Sequence, residues 1–140
     1  MELDELVETF EFLGDWEERY RYLIDLGRKL PPMPAEDHND ANKVRGCMSQ
    51  VWLTHRVEPG PPLTLEFQGD SDAHIVKGLI ALLFELCSGR TPQQILDTDI
   101  DSAFTRLGLE SHITMNRRNG FYAMVERIKS MAAETVAQAS

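Results

Sequence analysis

The spacing of apolar and polar positions changes several times along the chain, and each change marks an element. Leu3, Leu6, Val7, Phe10 and Leu13 recur at helical spacing with acids between them, which predicts a helix ended by Gly14. Asp15 with Glu18 three residues later is a capping box for a second helix. Trp16, Tyr20, Leu23, Ile24, Gly27 and Leu30 mark its apolar face, with both aromatics expected in the core. Pro31-Pro32-Met33-Pro34 stops that helix, because proline has no amide donor and restricts the residue before it. An extended loop through Asn42 is expected next.

The period then falls to two. Val51, Leu53, His55 and Val57 alternate with Trp52, Thr54 and Arg56, and Leu63, Leu65 and Phe67 alternate with Thr64, Glu66 and Gln68. Glu58-Pro59-Gly60-Pro61-Pro62 between them is a turn, so the pair is an antiparallel hairpin with His55 on its apolar face. Gly69-Asp70-Ser71-Asp72 breaks the alternation, and Ser71 or Asp72 is expected to cap the following helix. That helix carries Ile75, Val76, Leu79, Ile80, Leu83, Leu86 and Cys87 on one stripe. Leu82 and Phe84 extend its apolar surface, which predicts a central, buried helix.

Thr91-Pro92-Gln93-Gln94 reads as cap, proline and capping-box glutamine of a short helix through about Leu96. A second short helix is expected over Ile100 to Leu107, ended by Gly108. A last helix from Thr114 carries Phe121, Met124, Val125, Ile128, Met131 and Ala132 on one face, with fraying expected after Glu134. The expected architecture is an α+β single domain over residues 1–140, a small antiparallel sheet packed by helices. Its parts are N-terminal helices over 3–30, a loop over 42–50, a hairpin over 51–68 and a helical remainder over 72–136.

Composition adds limits. A chain of 140 residues suits one hydrophobic core, and 42% hydrophobic with 26% charged residues is ordinary for a globular protein. No run is long and apolar enough to span a membrane. The acidic start, Met1-Glu2-Leu3-Asp4-Glu5, lacks a signal-peptide layout, so a cytoplasmic location with free thiols is expected. The net charge of −9 argues against a nucleic-acid surface. Residues 1–40 hold 12 acids and 4 bases, so most of that charge belongs to the amino-terminal helices. Their acidic face is either a solvated helix surface or a docking surface for a basic partner.

Two cysteines remain. Cys87 lies on an apolar stripe and reads as packing. Cys47 follows Gly46, close behind Lys43 and Arg45, in the loop that feeds the first strand. Nearby cations favour the thiolate, which is the nucleophile, and glycine permits backbone conformations closed to other residues. Spacing alone leaves two readings open, a reactive thiol or a small apolar residue at the start of a strand.

Gly46-Cys47-x-Ser49-x-Val51-Trp52, followed by Gly69-Asp70-Ser71-Asp72 and Ile75-Val76-Lys77-Gly78-Leu79, resembles the SufE family of sulfur acceptors. Asp15-Trp16-Glu17-x-Arg19-Tyr20 with Leu26-Gly27 and Leu30-Pro31 is similar to the family's opening helix. Arg117-x-x-Gly120 is similar to the start of its last helix. The resemblance spans roughly residues 5–130 with the motifs in order. It implies the fold of iron–sulfur scaffold proteins (SufE/IscU-like). It implies that Cys47 takes sulfane sulfur as a persulfide from a SufS- or CsdA-like cysteine desulfurase, stimulates that enzyme, and passes the sulfur to a cluster-assembly scaffold. The chain would be a carrier rather than an enzyme. It would have no cofactor of its own, the pyridoxal phosphate being the partner's, and would be a monomer or a homodimer.

The same resemblance places Arg117 near the reactive loop, for anion stabilisation or partner contact, and includes Asp72, for which capping competes with a chemical role. Gln50 and Trp52 are further candidates for positioning the loop. Other function classes make different demands. A cluster scaffold needs about four ligands, usually thiolates, and a zinc site needs a comparable set; neither pattern is present. A cysteine hydrolase would pair Cys47 with His38, His55, His74 or His112, and no local motif marks such a pair. In a plain interaction module Cys47 would be incidental.

Overall fold

The computed structural model describes residues 2–46 and 49–139. Expectations for the surroundings of Cys47 therefore lie outside the described residues. The elements are α1 (Leu3–Leu13), α2 (Trp16–Arg28), a short 3-10 turn (Ala35–Asp37), β1 (Val51–Glu58), β2 (Thr64–Ser71), α3 (His74–Cys87), α4 (Pro92–Asp97), α5 (Ala103–Arg106) and α6 (Met115–Ala139). This is the expected α+β arrangement.

α3 is its centre, with ten of its fourteen residues buried. One side of α3 meets the sheet and another meets α2. The crossing with α2 is made backbone to backbone, at Gly27 and Gly78. A methyl group on Gly78 would lie 2.4 Å from the Leu23 carbonyl oxygen, and one on Gly27 would lie 2.7 Å from the Gly78 amide nitrogen. No side chain fits between the helices there. α6 closes the core with Phe121, Met124, Val125 and Ile128, all fully or almost fully buried, and Phe121 packs on Phe104 at 5.1 Å between ring centres. Buried residues of α1–α6 and both strands form one hydrophobic cluster.

β1 and β2 pair antiparallel from Val51↔Ser71 to Glu58↔Thr64. Short bridged segments flank them: Lys43 beside Trp52, and Arg90 beside Leu65. The first is the additional strand-like piece at the sheet edge. Val44 N–H donates to Val51 O at 2.8 Å, and Leu53 N–H donates to Asn42 O at 2.9 Å.

Several boundaries differ from expectation for physical reasons. β2 runs on through Gly69 and Asp70 to Ser71. Gly69 is no breaker here: a Cβ would meet Leu53, Ile80 and Phe84 at 2.8 to 3.0 Å, so neighbours already occupy its side-chain space. The α3 N-cap is Ala73, with no side-chain cap. Ser71 Oγ still accepts the Ala73 N–H at 3.2 Å, whereas Asp72 is engaged elsewhere. His55 and Val57 share the face of Val51 and Leu53, yet both are exposed, although Leu65, paired opposite Val57, is buried. Tyr20 is exposed as well, and Tyr22 packs inward against Phe10 instead, edge-on at 5.8 Å. α5 is shorter than the segment expected from Ile100 to Leu107. α6 continues past Glu134 to Ala139, helped by the buried Thr135, whose hydroxyl donates to Met131 O at 2.9 Å. Capping is as expected at Thr91 and Gln94, where both halves of the box form. At Asp15 the side chain accepts the Glu18 N–H at 2.9 Å.

Candidate functional site: the anchored loop at Cys47

Both ends of the loop carrying Cys47 are fixed by backbone hydrogen bonds. On the incoming side the chain turns through Asn39–Asn42, where Asn42 N–H donates to Asn39 Oδ1 at 3.0 Å and Asn42 Nδ2 donates to Asp37 O at 3.0 Å. It then runs alongside β1 as Asn42–Val44. Arg127 of α6 braces this stretch, with Nη2 donating to Ala41 O at 2.7 Å and Nη1 to Lys43 O at 3.5 Å. Gly46 has φ of 89°, a conformation that disfavours any residue with a Cβ, and its α-carbon faces Ala123 of α6. The permissive role expected for this glycine is thus real. Lys43 is half-buried and Arg45 is exposed.

On the outgoing side Asp72 does the work. Its Oδ1 accepts the Gln50 N–H at 3.0 Å, and its own N–H donates to Gln50 O at 3.3 Å. The expected helix cap is instead a clasp on the loop. Two residues earlier, on β2, Asp70 is partly buried. Its Oδ2 lies 2.7 Å from His38 Nε2, its Oδ1 accepts the Ser71 N–H at 2.8 Å, and Lys77 Nζ is 3.5 Å away. The His38 ring also stands edge-on to Trp52 at 4.7 Å. The two carboxylates of Gly69-Asp70-Ser71-Asp72 therefore grip the loop's two flanks, Asp70 through His38 and Asp72 through Gln50. The hydrogen bond with Asp70 holds His38 above its ordinary pKa. Burial works against ionised Asp70, but the bonds from His38 and Ser71 and the Lys77 charge outweigh it and lower its pKa.

Arg117 lies in the first turn of α6, where Thr114 Oγ1 accepts its N–H at 3.3 Å. It lines a cavity of about 20 Å³ together with Ser49, Val51, Val76, Leu79, Asn116, Gly120 and Met124. That is room for about one water-sized atom. Arg117 Nη1 is buried with no hydrogen-bond partner among the described residues. A buried donor without a partner costs free energy unless an acceptor arrives, so the position suits an anion or another acceptor group. A larger open groove of about 1070 Å³ runs along β1 to Arg127 and Glu134, away from Arg117.

The other candidates are dispersed. Cys87 is fully buried, and burial pushes its thiol up to about 12 against the charges of Arg90 and Lys129. His112 stacks on Trp16 at 4.5 Å. His55 is exposed on the far part of β1, and His74 opens α3. Among the described residues no three His, Cys, Asp or Glu side chains gather as a metal site. No described helix is long and apolar enough to cross a membrane. Sequence reading missed Asp70, Arg127 and the particular use of His38, because each acts on a residue 32 to 86 positions away.

Comparison with known proteins bears on the family and the fold. The family model described as "SufE: Fe-S metabolism associated domain" matches residues 4–132. An uncharacterized SufE-like protein of Rhizobium meliloti (strain 1021) is 45% identical over 131 residues, covering 93% of this chain and 94% of its own. One from Rhizobium etli is 45% identical over 132 residues, covering 93% of this chain and 88% of its own. The solution structure of a hypothetical protein from Thermus thermophilus superposes with a TM-score of 0.79 at 23% identity, over 96% of both chains, which speaks to the fold alone.

Proposed function

The chain belongs to the SufE family of Fe-S metabolism associated domains, and from that we propose that Cys47 accepts sulfane sulfur from a pyridoxal-phosphate cysteine desulfurase. The carrying observation is Arg117, whose Nη1 is buried without a hydrogen-bond partner among the described residues and which lines a one-atom cavity together with Ser49. In the step, the Cys47 thiolate attacks the outer sulfur of the partner's cysteine persulfide. The partner's sulfur–sulfur bond breaks, its cysteine leaves as a thiolate, and Cys47 carries the new persulfide with its proton. No net oxidant or reductant is needed.

The residues on the page divide the work. Asp72 and the Val44–Val51 pair fix the ends of the loop. Arg117 supplies a desolvated donor for the negative charge carried by thiolate or persulfide, where charge-assisted bonds are strongest. Thiol exchange is fastest for an attacker whose pKa is near ambient pH, and cations near a thiol in general favour the thiolate, which is the role proposed for Lys43 and Arg45. The protein acts as a cytoplasmic carrier that stimulates the desulfurase and hands sulfur to cluster assembly; the cofactor is the partner's.

The test is an intact mass taken without reductant after incubation with a cysteine desulfurase and cysteine. The expected result is a gain of one sulfur, removed by thiol reductant, lost in Cys47→Ser and kept in Cys87→Ser. No gain beside a desulfurase that is turning over, across all the desulfurases of the organism, overturns the proposal.

A further inference from the structure

Both ring nitrogens of His38 face oxygens that can only accept. Nδ1 is 3.1 Å from the Pro34 carbonyl, and Nε2 is 2.7 Å from the Asp70 carboxylate. Neutral imidazole has one donor and cannot satisfy both; imidazolium can. The ring also lies against Trp52, which is bridged to Lys43 on the strand entering the loop. We propose that His38 is a positioning residue: as imidazolium, held between Pro34 and Asp70, it pins the segment leading into the Cys47 loop, and loss of its proton releases that segment.

Among the described residues, the charged groups around the ring are Asp70 on β2 and, on Asp70's other oxygen, Lys77 of α3. β1 presents the uncharged Trp52. His38 begins the Asn39–Asn42 turn, so freeing it loosens the stretch that ends in the Val44–Val51 pair. The Asp72 clasp on Gln50 has no titrating partner of this kind and stays shut. The described stretch from His38 to Val44 would thus loosen as pH rises, while the Gln50 side stays held. The hydrogen bond that His38 makes to Asp70 raises that titration from the ordinary histidine value.

The significance of this device rests on Cys47 being the sulfur acceptor, but its test needs no desulfurase, so the two readings can fail separately. The rate of alkylation at Cys47 is measured by mass spectrometry on the full chain from about pH 5.5 to about pH 9, a range that brackets histidine titration. His38→Arg keeps the charge at every pH, and His38→Gln never has it. The thiol's own titration is measured in each variant, and rates are compared per thiolate. The wild-type rate relative to His38→Arg should be near unity at the acid end and rise severalfold at the alkaline end. His38→Gln should be severalfold faster than His38→Arg throughout, and Asp70→Asn, which alters the same bond from the other side, should follow His38→Gln. A flat wild-type ratio across the range overturns the proposal, as does an Asp70→Asn profile that matches His38→Arg.

Discussion

Asp72 and Gln50 exchange two hydrogen bonds, side chain to N–H at 3.0 Å and N–H to carbonyl at 3.3 Å, across 22 residues of sequence. The clasp fastens the outgoing end of the loop to the end of β2. Asp72→Ala removes the shorter bond and should cost about 1 kcal/mol of stability, the usual net value for one hydrogen bond. Cys47 alkylation and amide exchange at Gln50 should both accelerate. Unchanged exchange at Gln50 would mean that the clasp does not hold the loop.

Arg117→Met should separate stability from function. Methionine fills similar space and leaves no buried donor without a partner, so thermal stability should hold or rise. Sulfur uptake onto Cys47 should fall sharply, because the guanidinium is then absent. A variant that loses stability while keeping full sulfur uptake would assign Arg117 to the scaffold.

Gly78 and Gly14 should oppose alanine for different reasons. At Gly78 the new methyl would sit 2.4 Å from the Leu23 carbonyl, and α2 and α3 would have to separate. Overpacking of this kind costs about 3 kcal/mol or more. At Gly14 nothing lies within 4 Å, and only its φ of 78° opposes a side chain. With ψ of −83° and Asp15 N–H bonded to Leu13 O at 3.0 Å this is a strained γ-turn, so alanine should cost about 1–3 kcal/mol there through the backbone and not through packing. Urea unfolding of both variants measures the contrast.

Cys87 should be silent in the folded protein. With its thiol pushed up to about 12 and no solvent access, it carries almost no thiolate near neutral pH. Alkylating agents at about pH 8, within reach of an ordinary thiol's titration, should label Cys47 alone until the chain unfolds. Labelling of Cys87 at the rate seen in denaturant would contradict the packing around it.

The His38–Asp70 pair sets a pH window for stability. His38 has a raised pKa, so its contribution is complete below its ordinary value of 6.5 and is lost as pH rises through the folded value. Asp70 has a lowered pKa, so its contribution is complete above its ordinary value of 3.8 and is lost as pH falls through the folded value. The difference in melting temperature between wild type and His38→Gln should be largest between those two ordinary values and vanish in alkali. A difference constant with pH would point to packing on Trp52 alone.

Local signals carried much of the architecture. The capping box at Thr91 and Gln94, the stop at Gly14 and the apolar stripes of α3 and α6 depend on residues a few positions apart, which a single sequence displays. The end of β2 was not legible in the same way. Gly69-Asp70-Ser71 has the composition of a turn, and its pairing with Leu53, Trp52 and Val51 makes it strand. His55 and Val57 alternate correctly, but alternation cannot say which positions are covered. At the site, Gly46 and the Gly-Asp-Ser-Asp run were visible as motifs. Their use was not, since the partners of Asp70 and Asp72 lie 32 and 22 residues away.

If Cys47 is the proposed sulfur acceptor, the pairing of Val44 with Val51 also limits the partner. Residue 47 is three residues from Val44, whose N–H is held by Val51 O at 2.8 Å. A fully extended chain advances about 3.3–3.6 Å per residue, so while that pair holds, the backbone at Cys47 can travel only roughly 10 Å from its anchor. The loop is a short tether rather than a swinging arm. A donor sulfur sunk deeper than that is inaccessible to loop movement alone. Its owner must either extend the sulfur outward on a segment of its own or have a mouth wide enough to admit the end of the β1–β2 ribbon. The length of six residues thus becomes a statement about the shape of the other protein.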